Sequence, residues 1–346
     1  MAVIALDLGG TKLSGAVFRS NGKMVSGSVV PLEGRQGRAV GALIRREITD
    51  LLETARARRI KVGAIGVAVP GVTDPRTGLV WAPNIPGWKN YALRREIRRA
   101  LRDWHPQRLT EHGTRNTKQA PRLPVCLESD RSCYILGETW RGAAKGCRDA
   151  IFLAVGTGIG AGILINGEIL RGARGVAGAI GWLALERPLR REYAGCGCFE
   201  HHASGAGLAK IANELLLHRS NRSTRLKSHH SSAPALHSSN SLTAQDVFAA
   251  YKRGDPVAKK TLAQAVQFWG MAVANLVSLF NPEKIVFGGG VFGPATQFLD
   301  EIQTEARKWA QPIAFKQVKL QASRLGGDAG LYGAAYLALQ SLSRKP

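Results

Sequence analysis

One order of elements (strand, glycine turn, strand, Asn-Gly turn, strand) occurs twice in this chain, and nothing else in it restricts the possible folds so far. In the first copy the apolar runs Ile4-Ala-Leu-Asp7-Leu8 and Leu13-Ser-Gly-Ala-Val-Phe18 flank Gly9-Gly10-Thr11, and Asn21-Gly22 turns the chain into a third strand over 23–31. In the second a strand over 150–155 meets Gly156-Thr157-Gly158-Ile159-Gly160, another strand covers 161–165, and Asn166-Gly167 leads into 168–170. Gly10 to Asn21 spans 11 positions and Gly156 to Asn166 spans 10. This is an internal duplication, which predicts two α/β domains of one type. A length of 346 residues with 45% hydrophobic content suffices for two cores.

The repeated turns also suggest chemistry. Gly9 and Gly10 let backbone N–H groups come close to an anion, Thr11 adds a hydroxyl donor, and Asp7 at the strand end can hold a hydrated metal cation. A plain hairpin explains either turn taken alone. Two similar domains that each offer a glycine turn to a cleft between them point instead to a phosphate clamp.

Helical spacing runs over 37–59, and the apolar stretch 62–69, ending at Pro70-Gly71, predicts a buried strand. Trp81-Ala-Pro-Asn84-Ile-Pro-Gly-Trp88 reads either as a carbohydrate surface with a fixed amide or as a loop with packed tryptophans. Residues 104–123 are polar and mixed, which predicts an exposed insertion before a short strand over 124–127. Glu128-Ser129-Asp130 follows, then a helix over 131–141; the carboxylate of Asp130 is a general base or that helix's N-cap.

Beyond a glycine-rich loop over 171–181 comes Gly195-Cys-Gly-Cys-Phe-Glu200-His-His-Ala-Ser204-Gly205, whose C-x-C and H-H lack the spacing of a tetrahedral zinc site. Residues 219–241 hold eight serines, four Lys/Arg, three His and no acid, which predicts a disordered insertion. Helices resume over 243–252 and 256–280. A strand over 284–287 ends in Gly288-Gly289-Gly290-Val291, read either as a site of close backbone approach to a planar or anionic ligand or as a strand-to-helix loop. A last strand over 317–320 and Gly326-Gly-Asp328-Ala-Gly330 precede a closing helix to about residue 342.

Composition excludes several classes of protein. No apolar run approaches the ~20 residues of a membrane span, and no leader-like segment opens the chain, so a cytoplasmic protein is expected. The five cysteines are odd in number and scattered, which suits reduced thiols. The 48 Lys+Arg against 25 Asp+Glu give a net charge of +23. Part of this lies on one helix face, Arg94, Arg95, Arg98, Arg99 and Arg102, opposite Leu93, Ile97, Ala100, Leu101 and Trp104. That is the pattern of a solvated face, and no nucleic-acid-binding motif accompanies it.

Taken together, Asp7-Leu-Gly-Gly-Thr-Lys12, Asn84-Ile-Pro-Gly-Trp88, Glu128-Ser-Asp130, Val155-Gly-Thr-Gly-Ile-Gly160, Glu200 with Ser204-Gly205, and Phe287-Gly-Gly-Gly290 resemble the ROK family of sugar kinases and sugar-responsive repressors. The resemblance spans nearly the whole chain in the family's order. It implies the duplicated actin-like, ribonuclease H-like α/β fold, with domains at 1–128 and 129–328 and a closing helix over 329–346 that packs back on the first. It further implies that Asp7 organises Mg²⁺, that Gly9, Gly10, Thr11 and Lys12 hold ATP phosphates with Gly156, Thr157 and Gly158, and that Gly288, Gly289 and Gly290 border the adenosine. By the same resemblance Asp130 takes the proton of the attacking sugar hydroxyl, Asn84, Ser129 and Glu200 bind the sugar, and the protein is a homodimer.

Departures from the pattern carry their own expectations. Ser129 stands where the family has Asn. Ala179-Ile-Gly-Trp182 replaces Glu-x-Gly-His, and of the zinc segment C-x-C-G-x-x-G-C only Cys198 remains in register, Arg191 and Tyr193 occupying two ligand positions. No structural zinc is expected. Each hydrogen bond lost to a sugar hydroxyl is worth ~0.5–1.5 kcal/mol, enough to change sugar selectivity without abolishing binding. The expected function is ATP-dependent phosphorylation of a hexose or N-acetylhexosamine hydroxyl. The alternatives are a non-catalytic sugar or nucleotide sensor and a repressor, the latter disfavoured because only six residues precede Asp7 where repressors carry a helix-turn-helix.

Overall fold

The computed structural model describes residues 1–74, 76–104, 123–223 and 242–343. The chain forms two compact units: residues 1–146, 171–177 and 327–346, and residues 147–170 and 178–326.

In the first unit, β1 (Ala2–Leu8), β2 (Lys12–Arg19) and β3 (Met24–Pro31) form an antiparallel meander, followed by α1 (Gly37–Ala57) and β4 (Val62–Val69). The small β5 (Val72–Thr73) and β6 (Val80–Trp81) pair with each other before α2 (Leu93–Asp103), β7 (Val125–Ser129) and α3 (Asp130–Arg141). The sheet order is β3-β2-β1-β4-β7, with β4 parallel to both β1 and β7. Strands β1 and β4 read as near-continuous apolar runs because both their faces are covered. One face meets α1 and α2 through Ile44, Ile48, Leu51 and Ile97, and the other meets the closing helix.

The second unit repeats this plan. Strands β8 (Ala150–Val155), β9 (Ile159–Ile165) and β10 (Glu168–Ile169) form the meander, and α4 (Cys198–Ala203), α5 (Gly205–Ser223), α6 (Ala244–Lys252) and α7 (Pro256–Phe280) precede β11 (Lys284–Gly288). Then come α8 (Leu299–Arg307), α9 (Pro312–Gln317) and β12 (Lys319–Ala322). The order β10-β9-β8-β11-β12 is that of the first sheet, with β11 parallel to β8 and β12. Local chemistry sets the helix starts. Thr243 and Asp246 form a capping box, and Asp255 accepts from the N–H groups of Val257 (2.8 Å) and Ala258 (2.9 Å) ahead of Pro256 at the first helical position.

The final helix, α10 (Ala329–Ser343), belongs to the first unit. Gly66, Gly137 and Gly333 allow its backbone to touch β4 and α3: a Cβ at Gly66 would strike the carbonyl oxygen of Ala334, and one at Gly333 that of Cys133.

Several expectations are corrected. The domain boundary lies near residue 146 rather than 128, because α3 packs against α10 and stays with the first sheet. Helix α7 is long and apolar enough by length and composition to cross a membrane, contrary to the expectation that no such run exists. Its apolar side chains, among them Leu262, Phe268, Trp269 and Val273, are the centre of the second core. Of the expected insertion over 219–241, residues 219–223 belong to α5, and the remainder lies outside the described residues. So does most of 104–123, although Trp104 donates to Glu53 Oε1 (2.7 Å) and Leu123 packs on the core. Gln317 closes α9, which moves the last strand to β12.

Candidate active site

In the first unit the acids gather where parallel strands end. Asp7, on β1, lies opposite Ala68 of β4, and Ser129, the last residue of β7, lies opposite Val69. The C-terminal ends of β1, β4 and β7 therefore share one sheet edge, the edge at which open α/β sheets bind ligands. Ser129, not Asp130, caps α3: its hydroxyl oxygen accepts from the N–H of Ser132 (3.2 Å) while its proton goes to Ser132 Oγ (2.9 Å). The cap reading of Asp130 is thereby removed, and the hydroxyl expected to meet sugar is engaged within the helix turn. Asp130 is the first helical residue. Its Oδ1 accepts from the N–H of Arg131 (2.7 Å), and the Tyr134 hydroxyl lies 3.4 Å from its Oδ2.

Burial raises the pKa of Asp130 above its ordinary value, and the Arg131 N–H and the Arg131 charge oppose the rise. Asp7 is pushed up to about 7, first by burial and then by the negative charge of Asp130; Lys12 opposes the shift, and Asp328 adds to it. Gly330, at the start of α10, makes room for this carboxylate, since a Cβ there would strike Asp7 Oδ2 and lie 2.8 Å from Oδ1. Asp328 thus joins Asp7 and Asp130 in one acidic group.

Asn84 is exposed beside the first glycine turn, its Cβ 3.8 Å from where a Cβ on Gly10 would stand. Trp88 has no part in a sugar surface. It is buried, stacked on Tyr91 at 4.4 Å, and its indole N–H donates to the carbonyl of Gly37 (2.9 Å). Glu128 is buried as well: Oε1 accepts from the N–H of Ser129 (2.9 Å), and Oε2 pairs with Arg171 Nε (2.7 Å).

In the second unit the other glycine turn is joined to two neighbours. The N–H of Gly205, opening α5, donates to the carbonyl of Gly156 (2.7 Å), and Glu200 Oε2 accepts from the N–H of Ile159 (2.6 Å). Gly158 is needed because a Cβ there would lie 2.7 Å from Glu200 Oε2. Burial raises the pKa of Glu200, and the Ile159 N–H opposes the rise. Gly288 lies opposite Ala154, so Gly288, Gly289 and Gly290 leave their strand beside Val155 and Gly156. Gly289 has φ +90°, and a Cβ on it would strike the Val155 carbonyl oxygen.

Among the expected residues, Asp7, Gly9, Gly10, Thr11, Lys12, Asn84 and Asp130 belong to one unit, and Gly156, Thr157, Gly158, Glu200, Gly288, Gly289 and Gly290 to the other. Sequence reasoning missed Asp328, Tyr134, Gly330 and Arg171; only the Gly326-Gly-Asp328-Ala-Gly330 pattern carried a signal. Among the described residues, no group of three or more His, Cys, Asp or Glu is placed to hold a metal ion.

Two units with the same five-strand order, each closing a meander around a glycine turn, define a duplicated fold of the actin-like ATPase type. The sequence profile of the ROK family matches residues 3–103 and 114–341, and the chain belongs to that family. A glucokinase from Halalkalibacterium halodurans is 31% identical, over 97% of this chain and 94% of that protein. A β-glucoside kinase from Listeria innocua is 28% identical, over 99% of each. A ROK glucokinase from Streptomyces griseus, solved with glucose and AMPPNP, is 27% identical and superposes with a TM-score of 0.71, covering 98% of this chain and 100% of that one.

Proposed function

We propose that this protein is an ATP-dependent kinase that phosphorylates a hydroxyl of a hexose or N-acetylhexosamine, with Asp130 as general base. The observation that carries the reading is the placement of Asp130: first residue of α3, next to Asp7 at the C-terminal sheet edge, with burial raising its pKa. A raised pKa increases the proton affinity of a carboxylate base. In the reaction Asp130 takes the proton of the sugar hydroxyl as that oxygen bonds to the γ-phosphorus and ADP departs with the bridging oxygen. Phosphoryl transfer otherwise demands positioning and charge neutralisation. For these the reading uses Gly9, Gly10, Thr11, Lys12, Gly156, Thr157 and Gly158 on the phosphates, Gly288, Gly289 and Gly290 along the adenosine, and Asn84 and Glu200 on the sugar. Ser129 acts in it by fixing the start of α3.

Mg²⁺ fits Asp7. Asp7 is a carboxylate that burial and neighbouring acids hold near neutrality, and a divalent cation relieves such repulsion. Asp7 would hold it through its hydration shell, and when bound it would supply charge neutralisation at the phosphates. Zinc does not fit the segment around Cys198, where Arg191 and Tyr193 stand at two of the family's ligand positions. A cytoplasmic homodimer without specific nucleic-acid partners belongs to the same reading and rests on the resemblance and on the absence of a binding motif.

The test is a panel of hexoses, N-acetylhexosamines and β-glucosides with MgATP, read by ADP release and by mass spectrometry of the sugar. Stoichiometric ADP and sugar phosphate for at least one member is the expected result. Tight sugar binding with no turnover across the panel would favour the sensor instead.

A further inference from the structure

Helix α4 carries Glu200 on one side and His202 on the other, and the surroundings of His202 are unusual. The Tyr193 hydroxyl donates to Glu186 Oε2 at 2.5 Å and lies 2.8 Å from His202 Nε2, which is itself 3.0 Å from Glu186 Oε2. The other ring nitrogen, Nδ1, is 3.2 Å from Gln264 Nε2 of α7. The imidazole also stacks on Phe268 at 4.1 Å. Arg190 Nη2 completes the group, 3.0 Å from Glu186 Oε2.

Proton roles follow from the donor inventory. The Gln264 amide donates to Nδ1, so the proton of a neutral imidazole sits on Nε2 and points to Tyr193 and Glu186. Both nitrogens of His202 are then used. A metal needs a free imidazole lone pair, and none remains. Tyr193 and His202 are 3% and 1% exposed and both are hydrogen-bonded, with Glu186 at the partly exposed rim of the network.

Tyr193 also holds α4 through its main chain, its carbonyl accepting from the N–H of Gly197 (2.7 Å), the residue before the helix. We propose that Tyr193, Glu186, His202 and Gln264 form a metal-free clamp that fixes α4 and so positions Glu200 against Ile159 and the Gly156–Gly158 turn. Tyr193 and His202 are positioning residues here, and the link to the sugar rests on the proposed role of Glu200. The clamp gives a role to Tyr193, which stands at one of the ligand positions of the family's zinc segment. Hydrogen bonds tie the 180–197 loop to α4 and α7 without zinc.

The experiment uses the full-length protein, its Tyr193→Phe variant and Glu200→Gln. Purified wild type should contain far less than one zinc per chain, and its melting temperature should not respond to a chelator. Tyr193→Phe keeps the ring and removes only the hydroxyl, so it should fold with a lower melting temperature. Amide exchange should accelerate over 197–204 and 156–160, and the sugar KM should rise roughly 3- to 10-fold, with kcat within about twofold. A merely structural tyrosine would lower the melting temperature while leaving exchange over 156–160 and the sugar KM unmoved, which overturns the proposal. Stoichiometric zinc that resists chelation overturns it as well. If Glu200→Gln leaves the sugar KM unchanged, the role of Glu200 is at fault, and the clamp is then decided by the exchange data alone.

Discussion

Asp7 is held in the folded protein with a pKa of about 7 against an ordinary 3.8, and this shift has a sign that can be measured. A group whose folded pKa is raised contributes stability that is fully present below the unfolded pKa and is lost as pH rises through the folded one. The wild-type protein without Mg²⁺ should therefore lose stability between about pH 4 and 7 through this residue. Asp7→Asn cannot titrate, so its melting temperature relative to wild type should climb across that interval, with equality near pH 4 and an advantage at pH 8 in the presence of a chelator. Turnover should be lost in the same variant. An Asp7→Asn protein no more stable than wild type at pH 8 would show that the carboxylate is not under the strain described. The gain in stability and loss of activity belong together, because buried charge is tolerated at this edge for what it binds.

At the scale of elements, α10 joins the acid group to the rest of the first unit. Its close approach to α3 depends on Gly137, where a Cβ would strike the Ala329 carbonyl oxygen and lie 3.0 Å from the Gly333 nitrogen. Gly137→Ala must push α10 away, moving Gly330 and Asp328 relative to Asp7. A lower melting temperature together with a raised KM for MgATP is expected from calorimetry and steady-state kinetics; unchanged values for both would contradict this account of the helix contact. This contact also marks where sequence reading stops. The strands over 62–69 and 150–155 and the helix over 256–280 were legible to the residue, because apolar runs, caps and turns are local signals. Both glycine turns were legible for the same reason, whereas the local sequence around Asp130 reads either as a base or as a helix cap and only the family resemblance favours the base. Asp328 was not, since its approach to Asp7 is set by a helix some 320 positions away along the chain. Nor was the boundary near 146, which depends on α3 choosing α10 as its partner. Trp88 marks a choice that local sequence leaves open: an aromatic in a proline-rich loop reads the same whether it packs on Tyr91, as it does here, or faces a sugar.

At the scale of the whole molecule, the +23 charge acts on substrates of different charge unequally. The exposed guanidinium groups of Arg95, Arg98, Arg99 and Arg102 on α2 contribute to a field that attracts MgATP and is indifferent to a neutral sugar. Raising ionic strength should lower kcat/KM for MgATP while leaving the KM for the sugar nearly constant; a sugar KM that responds as strongly would point to a conformational effect of salt. In the proposed reaction Asp130 removes a proton from a sugar hydroxyl while the glycine turns hold the phosphates. The most direct measurement compares wild type with Asp130→Asn, using a turned-over sugar, for sugar-dependent ADP release and for sugar and AMPPNP affinity by calorimetry. The amide is nearly isosteric and Ser129 supplies the helix cap, so fold and binding should persist while turnover falls roughly 10²- to 10⁴-fold. An Asp130→Asn enzyme that phosphorylates at the wild-type rate would contradict the account.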